Sequence, residues 1–159
     1  ERTDGPTALL LTRQGLPTLD PAEHDAYEDV RRGAYVVSDG DDPQVLLLSS
    51  GSEVEIALQA QDVLATDGVR ARVVSMPSWE LFAEQPEEYR RQVLPPGIPR
   101  LAVEAGVTLG WRDIVGDAGA VIGIDRFGAS APGAEIAERF GLTVEAVVGK
   151  AVELVGEKS

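Results

Sequence analysis

The sequence predicts an α/β fold: a three-layer αβα arrangement around a mostly parallel sheet of about five strands, with one antiparallel edge strand. Three observations carry this. From residue 34 onward, short apolar runs alternate with amphipathic stretches, the rhythm of βαβ units. Val45-Leu-Leu-Leu-Ser49 is continuously apolar, as a strand buried on both faces must be. The runs 34–37 and 45–49 are joined by little more than the turn-rich SDGDDP, Ser38 to Pro43. That is too short for a crossover, so the two are expected to pair antiparallel at one edge.

Each element follows in order. Thr7 to Thr12, TALLLT, is a short apolar run between Gly5-Pro6 and RQGLP, and reads as a buried strand. Residues 15–33 are polar, carry Pro17 and Pro21, and hold one short helical turn near Ala26 to Val30. A connector of this length is uncommon inside a compact domain, so a domain boundary is expected here. On that division residues 1–14 are the remnant of a preceding domain, 15–33 a linker, and 34–159 a domain of their own. The strand at 7–12 then belongs to another domain's sheet. Strands follow at Ala34–Val37 and Val45–Ser49. Apolar residues at 54, 57, 58, 64 and 65 give a helical stripe over Val54–Asp67, ended by Gly68. Ala71–Met76 is the next strand. Ser78–Ala83 and Pro86–Leu94 are two short helices, the second with proline at its first position. Strands at Arg100–Ala105 and Ala120–Asp125 flank a Trp111–Val115 helix. Ala131–Phe140 is a helix ended by Gly141, and Thr143 caps the last, Thr143–Val155.

Composition removes several function classes. The chain has no cysteine, so disulfides, thiolate metal sites and a cysteine nucleophile are excluded. Its single histidine, His24, excludes a multi-histidine metal site; lying in the polar connector, it reads as a solvated surface group. Asp and Glu number 27 against 14 Lys and Arg, a net charge of −13 that repels phosphate backbones and acidic membrane surfaces. No run approaches the roughly 20 apolar residues that span a bilayer. The N-terminus, ERTDGPT, lacks the apolar stretch of a signal peptide. A cytoplasmic protein without nucleic-acid or membrane partners is expected. The chain opens without Met, in keeping with a fragment of a longer polypeptide.

Two strand-to-helix segments could carry chemistry. Gly51-Ser-Glu-Val-Glu55 lies where open α/β sheets bind anions on free N–H groups. It is equally the spacing of a capping box, with Ser52 as N-cap and Glu55 three residues on. Glu53 and Glu55 complement the helix dipole and repel a phosphate, which weighs toward the capping box. In Gly123-Ile-Asp-Arg-Phe-Gly-Ala-Ser130, Gly128 allows a tight turn and Ser130 with Pro132 starts the helix. Asp125 is either a site carboxylate or a structural partner to a neighbouring arginine, Arg126 being adjacent; structure is favoured. Trp79, Phe82 and Tyr89 sit at helical packing intervals, Trp111 is core or interface, and Arg72 reads as a solvent-facing strand residue. Arg13 follows an apolar run directly. Its fork of donors suits a phosphate, and the alternative is an ion pair at a domain surface. The sequence contains no GxxxxGK[ST], GxGxxG or metal-ligand spacing, hence no complete active site.

Longer strings are more specific. GPTALLLTRQGLP at 5–17, the run GAYVVSDGDDP…RRQVLP at 33–95, LAVEAG at 101–106, GW at 110–111 and DRFGASAP at 125–132 closely resemble the carboxyl-terminal part of transketolase, in order and over essentially the whole chain. GSEV, VVSMP, FGASAP and the F-x-x-Q-x-x-x-Y run of Phe82, Gln85 and Tyr89 are together highly specific. The resemblance implies a transferase of three domains. The first two bind thiamine diphosphate and a divalent cation, Mg or Ca, between two subunits of a homodimer. The enzyme of the pentose phosphate pathway moves a two-carbon ketol unit from a ketose phosphate to an aldose phosphate, the cofactor carrying the chemistry. Residues 1–14 would be the end of the pyrimidine-binding domain and 34–159 the third domain. The GDG…N cofactor motif has no match here, and the family's activating glutamate and substrate-facing histidines lie upstream. No catalytic, cofactor or metal residue is therefore expected in this chain. The L-T-R-Q arginine, which contacts substrate phosphate in the family, falls on Arg13. The implied role of the piece is to pack against the missing domains of the same polypeptide and support the dimer, inactive by itself. The alternative is an independent module binding a small anion or effector.

Overall fold

A computed structural model of the chain describes residues 5–12, 14–20 and 26–156, with the backbone alone at 26 and 27. The elements in order are α1 (Ala26–Arg31), β1 (Tyr35–Ser38), β2 (Val45–Ser49), α2 (Glu53–Thr66), β3 (Ala71–Ser75), α3 (Trp79–Ala83), α4 (Glu87–Val93), β4 (Arg100–Val103), α5 (Trp111–Val115), β5 (Ala120–Ile122), α6 (Gly133–Phe140) and α7 (Val144–Gly156).

The five strands form one sheet in the order β1-β3-β2-β4-β5. β2 pairs parallel with β3 (Val45 opposite Ala71, Ser49 opposite Ser75) and with β4 (Leu47 opposite Leu101). β5 extends the parallel part beside β4. β2 is the middle strand, and all five of its residues are buried. Their alternation divides the core in two. Val45 and Leu47, with Val73, Leu101 and Val103, meet Ala57, Ala60 and Leu64 of α2 and Val147, Ala151 and Leu154 of α7. Leu46 and Leu48, with Val74 and Ala102, meet Phe82, Val93, Trp111 and Val115 of α3, α4 and α5. Three layers result, because a parallel sheet needs helices on both faces to leave water. Burying each of these leucines is worth about 1.5–3 kcal/mol.

The antiparallel edge strand is present, but its partner differs from the expectation. β1 pairs with β3, Tyr35 opposite Ser75, and not with β2. The β2–α2–β3 unit places β3 directly beside β2, and β4 takes β2's other side, so neither side of β2 is left for β1, which takes the outer edge of β3. The 39–44 loop therefore crosses the beginning of β3 on its way from β1 to β2. Gly40 is the crossing point: a Cβ there would stand 2.8 Å from the Ala71 carbonyl oxygen. The crossing is fastened by Arg70 to Asp42 and Arg72 to Asp39.

Helix ends follow local rules in part. Ser78 caps α3 by accepting from the Leu81 N–H at 3.3 Å, and Thr143 caps α7 by accepting from Ala146 N–H at 3.2 Å. Gly141, at φ +73°, closes α6 in the left-handed conformation. Pro86 and Pro132 stand one residue outside their helices, with extended ψ of 144° and 140°. The apolar run at 7–12 forms no strand. Leu9, Leu10 and Leu11 are 79%, 90% and 77% exposed, and the run joins neither edge of the five-stranded sheet.

Candidate functional site

In an open α/β sheet, ligands bind outside the carboxyl ends of the strands where the strand order reverses. Here the chain moves from β2 to β3 on one side and then to β4 on the other, so the reversal lies between β2 and β4. Ser50, Gly51 and Ser52 leave β2 there, and Glu104 leaves β4. The Ser50 hydroxyl donates to Glu104 Oε2 at 3.0 Å, and the Ser52 hydroxyl donates to Glu53 Oε1 at 2.7 Å. Ser52 is already in helical conformation and accepts no N–H with its side chain, so the capping box does not form. Glu55 instead receives Gln59, one turn on, at 3.2 Å. Ser52 is drawn away by the neighbouring carboxylate of Glu53, itself buried at 8% exposure.

Burial pushes the Glu104 carboxyl above the ordinary carboxylate range; the Ser50 hydrogen bond opposes this and the nearby Glu53 charge adds to it. The crevice thus holds two converging carboxyl groups and two hydroxyls turned toward them. Its donor set does not fit a diphosphate, which needs free N–H groups and cations. Among the described residues, no group of three or more His, Asp or Glu side chains could hold a metal ion.

Asp125 has a structural partner, and it is not Arg126. One carboxylate oxygen accepts from the Thr108 N–H at 2.8 Å and the other from the Thr108 hydroxyl at 2.8 Å. These two bonds, the backbone one first, hold its carboxyl below the ordinary range. The pair ties the loop after β4 to the end of β5, and the Ile124 N–H donates to the Gly106 carbonyl at 2.7 Å alongside. Arg126 lies over the Phe140 ring, 5.4 Å from its centroid.

Arg13 and His24 lie outside the described residues. The neighbours of Arg13 are placed: Thr12 and Gln14 are joined through their side chains at 2.7 Å, and the Gln14 amide nitrogen stands 3.9 Å from where a Cβ on Gly133 would be. The LTRQ segment and the start of α6, just past the FGASAP loop, therefore meet, although some 120 residues of chain separate them. The aromatic residues pack as expected. Trp111 is 1% exposed and meets Trp79 edge-on at 5.2 Å, while Phe82 meets Tyr89 at 6.4 Å. Arg72 departs from the solvent-facing expectation. Its side chain is 13% exposed, forks onto both oxygens of Asp39, and donates to the Gln92 carbonyl at 2.7 Å. Glu104 was missed by pattern reading; the signal available was a charged residue closing the buried run LAV.

The fold and this crevice define a class first: a doubly wound α/β domain whose switch point is occupied by its own side chains. Residues 33–143 match the family described as the Transketolase-like TK C-terminal domain. The chain is 51% identical over 160 residues to a transketolase of Geobacillus stearothermophilus, spanning 99% of this chain and 24% of that protein. It is 48% identical over 155 residues to a transketolase of Aquifex aeolicus, spanning 96% of this chain and 22% of the relative. Among solved structures, a transketolase of Pichia stipitis superposes with a TM-score of 0.83 at 37% identity, over 91% of this chain and 21% of the other. One from Leishmania mexicana superposes with a TM-score of 0.77 at 46% identity, over 82% and 19%. The chain belongs to the transketolase family, and it spans about a quarter of the length of the curated relatives it matches.

Proposed function

We propose that this chain is the carboxyl-terminal piece of a transketolase, a cytoplasmic transferase that moves a two-carbon ketol unit from a ketose phosphate to an aldose phosphate. The carrying observation is membership of the transketolase family together with coverage of only 24% of a relative's length. In the whole protein, thiamine diphosphate with a divalent cation supplies the carbanion chemistry, held by the two domains that precede this piece. Residues 1–14 close the pyrimidine-binding domain, 15–33 link, and 34–159 form the third domain. By itself the piece is inactive. It serves to pack against its companion domains and to support the homodimer.

Two structural observations support the reading. Three consecutive exposed leucines, Leu9 to Leu11, are what a strand presents when its sheet is elsewhere. The carboxylates at the switch point weigh against the alternative, an anion-binding regulatory module at the 51–55 loop. Arg13 grips the substrate phosphate in the whole enzyme, where a guanidinium fork meets phosphate oxygens in parallel.

Two assays test this. The isolated chain, given thiamine diphosphate, magnesium and a ketose/aldose phosphate pair, should show no turnover; turnover above background overturns the inactive role. In the intact enzyme, Arg13→Ala should raise KM for phosphorylated substrates about 10- to 100-fold, from losing a charge-assisted contact. It should leave unphosphorylated substrates nearly unaffected. An unchanged KM removes Arg13 from the site.

A further inference from the structure

The face of the sheet covered by α3, α4 and α5 holds a cavity of about 510 Å³, walled by Met76, Trp79, Phe82, Leu94 and Ile114. Arg90 and Asp113 also line it. We propose that this cavity is a binding site for a small amphipathic zwitterion, an apolar or aromatic body bearing one carboxylate and one ammonium. It lies apart from the switch-point crevice and shares no residue with the LTRQ segment, so it goes beyond the ketol-transfer reading.

The walls are of the right size and are already in place. Small-molecule sites run to roughly 300–1,000 Å³, mostly apolar with a few placed polar groups. Met76, Phe82 and Leu94 are 2%, 8% and 8% exposed, so this part of the wall belongs to the packed core. Trp79 is fixed from two sides. Its ring meets Trp111 at 5.2 Å and 78°. It also lies against the backbone of Gly110, where a Cβ would come within 2.5 Å of the ring. Gly110 adopts φ +87°, so no other residue suits the position. A cavity whose aromatic wall is held before the ligand arrives loses little to ordering.

The charges decide the ligand class. Among the described residues, neither the Arg90 guanidinium nor the Asp113 carboxylate makes an ion pair or side-chain hydrogen bond. Nearby cations are committed elsewhere: Arg91 to Glu87, and Arg100 to the carbonyls of Ile114 and Leu94. Arg90 and Asp113 each line the cavity without pairing with the other, which leaves a gap between the two charges. One zwitterion closes that gap: its carboxylate takes the Arg90 fork, its ammonium takes Asp113, and its apolar body lies on Trp79 and Phe82. A ligand with only an acid meets the unanswered Asp113 charge, and one with only an amine meets Arg90. Both residues are exposed, so they stay solvated while the cavity is empty.

The test titrates the 159-residue chain with L-phenylalanine, 3-phenylpropionate and 2-phenylethylamine, reading tryptophan fluorescence and calorimetric heat. L-Phenylalanine should saturate and bind more tightly than either single-charge analogue. Arg90→Ala and Asp113→Asn should each weaken it by about tenfold or more. Asp113→Asn should spare 3-phenylpropionate, and Arg90→Ala should spare 2-phenylethylamine. Ala83→Trp, which fills the cavity from its lining, should abolish binding with an unchanged circular dichroism spectrum. Arg112→Ala, on α5 and outside the cavity, should bind as wild type. The proposal is overturned if L-phenylalanine gives no saturable signal at millimolar concentration, or if the Arg90 and Asp113 variants bind as wild type. It is overturned too if binding seen in this chain vanishes in the full-length polypeptide, which would make the cavity part of a domain contact.

Discussion

Replacing Arg72 with methionine keeps the apolar stem and removes the guanidinium that fastens β3 to the loop crossing over it. Two kinds of interaction are lost. The fork onto Asp39, at 2.8 and 2.7 Å, joins a side chain 13% exposed to one 48% exposed, so solvent screens the pair and about 1 kcal/mol is a fair share for it. The donation to the Gln92 carbonyl at 2.7 Å, beside the buried Val93, adds about 1.5 kcal/mol, since a charged donor is removed from an acceptor at the end of α4. Arg72→Met should therefore destabilise by about 2–3 kcal/mol, or lower Tm by about 5–10 °C in a domain of this size. Urea unfolding of wild type, Arg72→Met, Asp39→Asn and the double variant should give a coupling of about 1 kcal/mol. Arg91→Ala is the reference: its partner Glu87 and Arg91 itself are 67% and 66% exposed, so the change should stay within about 0.5 kcal/mol. If Arg72→Met were no worse than Arg91→Ala, or the coupling were nil, the argument that this crossing is held by charge would fail.

Gly33→Ala should destabilise by more than about 2 kcal/mol on urea unfolding, because Gly33 sits at φ +79° and a Cβ there would collide with the Phe82 N–H and the Ser78 carbonyl. Glu104 carries a carboxyl raised above its unfolded value, so its contribution is full below the ordinary carboxylate range. It is lost as pH rises through the folded value, where the native state holds a proton that the unfolded chain has released. Glu104→Gln should remove that decline, so that stability against pH is flatter just above the ordinary range; an unaltered profile would contradict the burial argument. Asp125→Ala should speed amide hydrogen exchange at Thr108 and its neighbours, with the α2 and α7 amides unchanged.

The amino-acid sequence reaches far in this protein wherever the controlling interaction is local. VLLLS has no polar position to turn toward water, so its burial on both faces is set before any neighbour is known. Ser78 and Thr143 cap because the N–H they accept lies three residues away, and Gly141 ends α6 through its own φ. The family, too, is legible in strings such as FGASAP and VVSMP. What resisted was the choice between competing partners, most of them distant in the chain. The 38–43 turn allows β1 to lie beside β2, and only the occupation of both sides of β2 by β3 and β4 sends it past β3 to the outer edge. Ser52 has the right spacing for a capping box and gives its hydroxyl to Glu53 instead. Asp125 has Arg126 next to it and Thr108 above it, and the sheet edge selects the threonine. Arg72 alternates as a surface residue should, yet a loop arriving from 33 residues back covers it. Periodicity depends on spacing within a few residues and can be read along the chain, as can a cap whose side chain has no rival partner beside it. Partner choice depends on which surfaces remain free once the sheet has formed, and that is fixed only when the whole chain is folded.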